Sequence, residues 1–287
     1  MDVDTKELKI IDKSDKLDGI AEYVFLKQSS IENTCNLFPK TFYEISAGIN
    51  KILSHKNDFI LAINTNANIT GVCIFFNEPD KKYLECLGAF FNDESDFQLL
   101  FIFLRKEYKD FLIDFAFPLE NVRALKYLKN VNAKFDKSQI CMEVIYDTFV
   151  RENYMYDVFE LSKEFYDSYS KIHSDEDVYW TADRVISASE LFKPFIISIE
   201  KNIVGYIDVT YNRALNEIYN VYAQNKNLEY IGALINIAVT SILSKGNKII
   251  VLVDSEDSEI INLYKDFGFK ETYSSQSARL YPYTPAV

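Results

Sequence analysis

The chain has 287 residues, 48% of them apolar and 26% charged, which is the balance of a globular protein with one or two full cores. Its 31 Lys and Arg against 43 Asp and Glu give a net charge of −12, a field that disfavours nucleic acid and anionic membranes and favours cationic partners such as a polyamine, an amine or a basic peptide. Only 8 residues are Gly, and neither GxxxxGK[ST] nor GxGxxG occurs, so Walker and Rossmann nucleotide loops are excluded.

Two His, His55 and His173, lie far apart and away from the four Cys, which form no CxxC pair; a zinc site or a His-based triad is not expected, and no metal is called for. The Cys residues 35, 73, 86 and 141 read as buried thiols of a reducing compartment. The first fifteen residues contain no apolar signal core, and no run of 18 apolar residues follows, so a cytoplasmic location is expected.

In chain order, residues 17–38 and 41–54 read as helices, and 58–63, 69–76 and 83–91 as strands. A mixed apolar segment at 97–106, a strand at 111–117, a helix at 119–128 and a terminal β pair around 133–145 follow. The second half replays this order. Residues 158–170 form an amphipathic helix candidate, with Phe159, Leu161, Phe165 and Tyr169 at helical spacing. Strands at 194–200 and 203–210 are joined by a tight Lys201–Asn202 turn. A strand at 217–222, a long helix at 228–243, a β-branched strand at 248–254, a helix at 258–266 and a hairpin from Phe269 complete the chain. ITGVCIFF at 69–76 parallels IVGYIDVT at 203–210, and residues 110–128 parallel 247–265. These two anchors in one order predict a tandem duplication with domains 1–150 and 151–287, each α/β or mixed α+β.

The most informative stretch runs from Lys248 to Thr272: a buried strand, polar SEDS, a helix with acidic residues in its first turn, and Gly268 as its stop. Asp257, Ile260, Leu263, Tyr264, Gly268 and Phe269 fall on the pattern N-x-x-A-x-x-L-Y-x-x-x-G-F, with Asp for Asn, Ile for Ala and L-Y-x-x-x-G-F matched in full. On these residues the chain resembles the GNAT N-acetyltransferase superfamily over roughly residues 156–283.

The resemblance implies two GNAT-like domains, each a central mixed, mostly antiparallel sheet flanked by helices. It also implies acetyl-CoA as co-substrate and direct attack by an amine in a ternary complex. Tyr264 takes the place of the general acid that protonates the departing thiolate, and Glu217 that of the base, with Asp208 in reserve. The backbone of Asn220, Val221 and Tyr222 would hold the pantetheine arm. The family's pyrophosphate loop maps onto residues 225–233, where Lys226, Asn227, Gly232 and Ala233 are the expected contacts and Asp257 opens the following helix motif. Only Gly232 remains of that loop's glycines, and Glu229 brings a carboxylate. In the first half Leu128 stands at the Tyr position and Asn132 at the Gly position, and residues 91–119 contain no Gly, so a degenerate copy is expected there. The rival expectation is a catalytically inactive GNAT-like protein that binds a ligand or partner and regulates.

Overall fold

The computed structural model describes residues 6–12, 15, 17–30, 35, 38–66, 68–173, 179–213 and 215–282. The chain divides into two compact units, Met1–Ser138 with Ser274–Val287, and Gln139–Tyr273.

Unit 1 contains strands β1 (Lys6–Ile11), β2 (Phe59–Thr65), β3 (Asn68–Glu78), β4 (Tyr83–Phe91), β5 (Leu112–Pro118) and β6 (Lys134–Phe135). Its helices are α1 (Leu17–Gln28), α2 (Phe42–Ser54), α3 (Glu94–Glu107) and α4 (Val122–Asn130). The expected helix at 17–38 stops at Gln28, and residues 31–34, 36 and 37 lie outside the described residues. The segment expected to be mixed is α3. Phe97, Leu100, Phe101 and Leu104 bury one face of it, and Asp93 and Asp96 close a capping box at its start. β1, absent from the sequence expectation, pairs antiparallel with β2.

Unit 2 contains β7 (Gln139–Ile145), β8 (Val158–Glu160), β9 (Phe192–Ile199), β10 (Asn202–Thr210), β11 (Leu215–Ala223) and β12 (Lys248–Asp254). Its helices are α5 (Tyr166–Ile172), α6 (Ala182–Ser187), α7 (Leu228–Ile242) and α8 (Ser258–Asp266). The helix expected at 158–170 is instead an edge strand followed by a helix. β8 pairs with β9, Leu161 N–H donates to Pro194 C=O, and α5 begins only at Tyr166.

The single boundary near 150 is replaced by a strand exchange. The expected β pair at 133–145 does not form: β6 pairs with the last strand, β13 (Lys270–Leu280), whereas β7 pairs with β12 in unit 2, Met142 opposite Val251. Among the described residues no hairpin follows Phe269. β13 is one strand, and its residues 275–280 pair antiparallel with β5 of unit 1. Each unit therefore finishes its sheet with a strand from the other repeat, in the orders β1-β2-β3-β4-β5-β13 and β7-β12-β11-β10-β9-β8. Burial fixes the exchange: Ala278 and Leu280 enter the unit 1 core, and Met142 and Val144 enter that of unit 2. Arg279 donates from Nε to Asp114 Oδ1 at 3.0 Å, and Tyr83 hydroxyl donates to the other Asp114 oxygen at 3.1 Å, tying β13 to β5 and β4.

In unit 2 the sheet is covered on both faces. α7 and α8 share a core with Ile207, Val209, Ile218 and Val251, while α5 and α6 cover Ile196 and Tyr206.

Candidate functional site

The feature common to both units is a pair of parallel strands that separate. β11 and β12 pair only from Leu215–Lys248 to Ile218–Val251, and β11 continues to Ala223 without β12. Its partner on the other side, β10, stays in register up to Gly205–Ala223. One edge of residues 219–223 thus offers N–H and C=O groups to a ligand lying along the strand. β4 and β5 separate in the same way after Cys86–Phe115. A β-bulge marks each split: Asp208 faces Asn220 while Val209 faces Ile218, leaving Tyr219 extra, and in unit 1 Leu87 is extra.

Tyr264 belongs to the same core as Ile218 and Val251, the last β11–β12 pair of unit 2. α8 is set by Asp257, whose Oδ1 accepts from Ile260 N–H at 3.2 Å, and is ended by Gly268 at φ 86°. A Cβ on Gly268 would overlap the Thr148 carbonyl. Between these stops Tyr264 turns inward, 1% exposed, in the same apolar cluster as Ile218, Val251 and Val253, and edge-on to Phe269 at 5.0 Å. Burial raises its pKa, so the phenol stays protonated. Its hydroxyl has no hydrogen-bond partner among the described residues.

The other expected residues separate into three places. Glu217 is half-buried on β11 before the split, its N–H donating to Thr210 Oγ1 at 2.7 Å. Asn220, Val221 and Tyr222 form the separated part of β11. Asn225 and Lys226 follow in consecutive left-handed conformations, and Asn227 caps α7 by accepting from Glu229 N–H at 2.9 Å. The Glu229 carboxylate accepts from Tyr156 hydroxyl at 3.1 Å. Gly232 and Ala233 are buried one turn into α7, and a Cβ on Gly232 would displace the hydroxyl end of Tyr154 that lies against it.

Asp208, held in reserve as a base by the sequence reading, is the centre of a polar cluster on β10 that reaches β11. Asp208, fully buried, accepts from Tyr169 hydroxyl at 2.7 Å, from His173 Nε2 at 3.1 Å and from Asn220 Nδ2 at 3.4 Å. The His173 ring is also buried and stacks on Tyr206 at 5.4 Å. The one signal in the sequence was an Asp inside an otherwise apolar strand, IVGYIDVT. No group of His, Cys, Asp and Glu able to hold a metal occurs among the described residues.

Unit 1 keeps the split with different side chains around it. Leu128, 1% exposed, stands at the Tyr264 position, and Asn132 adopts φ 59° at that of Gly268. The N-terminus of α3 is occupied by the chain's own carboxylates: Asp96 accepts from the N–H groups of Asn92 and Asp93, and Asp93 from those of Ser95 and Asp96. Lys6 bridges both acids at 2.9 and 2.6 Å. Desolvation opposes it, yet hydrogen bonds from Ser95 and Lys6 hold Asp93 down at about 2. Beside this end is a cavity of about 310 Å3, lined among others by Asp93, Glu94, Arg123 and Lys126.

No family model and no curated protein matches the sequence. Solved structures do match its fold along nearly the whole length. A GCN5-related N-acetyltransferase from Sphaerobacter thermophilus has a TM-score of 0.65 at 9% identity, over 95% of each chain. A tandem GNAT protein from the clavulanic acid biosynthesis pathway has a TM-score of 0.62 at 7% identity, over 98% of this chain and 100% of that one. A putative acetyltransferase from Pyrococcus horikoshii has a TM-score of 0.59 at 12% identity, over 96% and 89%. The chain therefore has the fold of a tandem GNAT N-acetyltransferase, with mixed, mostly antiparallel sheets flanked by helices.

Proposed function

We propose that unit 2 transfers an acetyl group from acetyl-CoA to an amine, by direct attack of the amine on the thioester in a ternary complex. The observation that carries this reading is Tyr264: a phenol 1% exposed, in one core with the last paired residues of the split, Ile218 and Val251, and with no partner for its hydroxyl among the described residues. A hydroxyl that no protein group engages is open to a ligand atom, and in this reading that atom is the thioester sulfur.

Acetyl-CoA supplies the activated acetyl group; the residues do the rest. The free edge of Asn220, Val221 and Tyr222 takes the pantetheine amides in strand fashion. Lys226 and the N–H groups of the turn before α7 face the pyrophosphate. Gly232 and Ala233 serve this end of the site from inside α7, and Asp257 by holding α8. Glu217 takes the proton that the ammonium loses, and the amine lone pair then attacks the carbonyl carbon. As the C–S bond breaks, the Tyr264 hydroxyl donates to the sulfur. Because burial raises the phenol pKa, a hydrogen bond that strengthens with the developing thiolate is the main contribution, with the proton passing on as the thiol leaves. The net charge of −12 favours a cationic small molecule or peptide as the amine.

The test is acetyl-CoA titration by calorimetry, followed by amine-dependent thiol release from the wild type and Tyr264→Phe. The expected result is one binding event, retained by the variant, with turnover reduced at least about 30-fold, as for loss of a positioned proton donor. No binding at millimolar acetyl-CoA would refute the reading and leave the regulatory alternative.

A further inference from the structure

The two units build the same bulge with opposite packing, and this isolates what the polar cluster of unit 2 is for. In register, Ile74 and Gly88 of unit 1 take the places of Asp208 and Asn220, and the Phe38 ring covers Gly88 where a side chain would stand. Bulge and split thus form without a carboxylate, imidazole or amide at these two positions. A fully buried carboxylate with a buried imidazole costs desolvation that this fold has no need to bear.

The cluster orders one group. A carboxylate only accepts, so it faces the amide NH2 of Asn220, and Nδ2 lies 3.4 Å from Asp208 Oδ2. His173 Nε2, at 3.1 Å from the same oxygen and 3.3 Å from Nδ2, completes the convergence. Tyr169 holds the second oxygen at 2.7 Å. With its NH2 end fixed, the half-buried Asn220 turns Oδ1 away from Asp208, and Oδ1 has no hydrogen-bond partner among the described residues. Asn220 directly follows the bulge residue Tyr219 and lies two positions past the last β11–β12 pair.

We propose that the Asn220 carboxamide oxygen binds an N–H of the cationic amine acceptor, and that Asp208, His173 and Tyr169 are positioning residues that hold this oxygen outward. This rests on the acetyl-transfer reading of unit 2. The ligand class follows from the chemistry: an amide oxygen takes a donor, and the carboxylate behind it, together with Glu217 on the same strand, favours a positively charged one.

Spermidine is the probe, with acetyl-CoA measured separately. Calorimetry gives both affinities for the wild type, Asn220→Leu, His173→Gln and His173→Ala, and the Asn220 side-chain NH2 resonances are followed through the spermidine titration. Asn220→Leu is expected to weaken spermidine about tenfold or more. His173→Gln, which keeps a donor to Asp208, retains wild-type spermidine affinity; His173→Ala loses it in part, with the fold intact by circular dichroism. A purely structural cluster would lower thermal stability in both His173 variants without this split. Spermidine binding by Asn220→Leu equal to wild type, or no spermidine response in the wild type, overturns the proposal. Failure of acetyl-CoA alone to bind refutes the acetyl-transfer reading, and the spermidine arm still decides the role of Asn220.

Discussion

The two units share a strand split, a bulge on its inner strand and a capped helix after its outer strand, yet they differ at every position where a ligand would meet them. Unit 2 has Tyr264, Asp208 and Asn220 where unit 1 has Leu128, Ile74 and Gly88. In unit 1 the helix end that would face an anion is filled by Asp93 and Asp96, with Lys6 between them. Unit 1 thus forms the same split without the polar groups of unit 2.

The largest effect expected from breaking this comparison comes from the shared strand exchange. Deleting residues 274–287 removes Ala278, Leu280 and the Arg279–Asp114 bond from unit 1 and bares the edge of β5. Hydrogen exchange should show protection lost throughout β4 and β5; protection kept there would contradict the exchange. Next is Tyr264→Phe, whose loss of turnover should come without loss of stability, because the hydroxyl it removes has no partner among the described residues. The matching change in unit 1, Leu128→Tyr, should restore no activity and should destabilise by about 1–3 kcal/mol through overpacking, measured by urea unfolding.

Smaller effects sharpen the difference at the helix ends. Gly268→Ala forces a Cβ into the Thr148 carbonyl at φ 86° and should cost at least about 2 kcal/mol. Asn132→Gly, at φ 59°, where glycine is at home, should stay within about 0.5 kcal/mol of wild type. Asp93→Ala should cost about 1 kcal/mol through the lost cap. Its pH dependence has a fixed sign: the folded-state pKa of about 2 lies below the unfolded value of about 3.9, so the contribution is full above pH 4 and disappears as pH falls toward 2. Acid unfolding of the wild type and Asp93→Ala should therefore converge below pH 2.

Much of unit 2 was legible because its signals are local. The β-branched run of β12, the Asp257 cap and the Gly268 stop lie within a few residues of what they determine, and β12 and α8 fall where the sequence puts them. The helix α3 had apolar residues at 97, 100, 101 and 104, a readable helical spacing that its flanking aromatics obscured. The exchange of β7 and β13 was not legible, because alternating strands state which face is buried but not which sheet receives them. The Asp208 cluster escaped for the same reason: His173 and Asn220 are 35 and 12 residues away along the chain, and only the fold brings them to one carboxylate.

The central claim is that unit 2 binds acetyl-CoA and unit 1 does not. Hydrogen exchange of the full chain with and without saturating acetyl-CoA tests it directly. The account predicts new protection confined to residues 219–231 and 254–264, with one equivalent bound. Protection at residues 92–97 and 123–127, two equivalents, or none at all would contradict it.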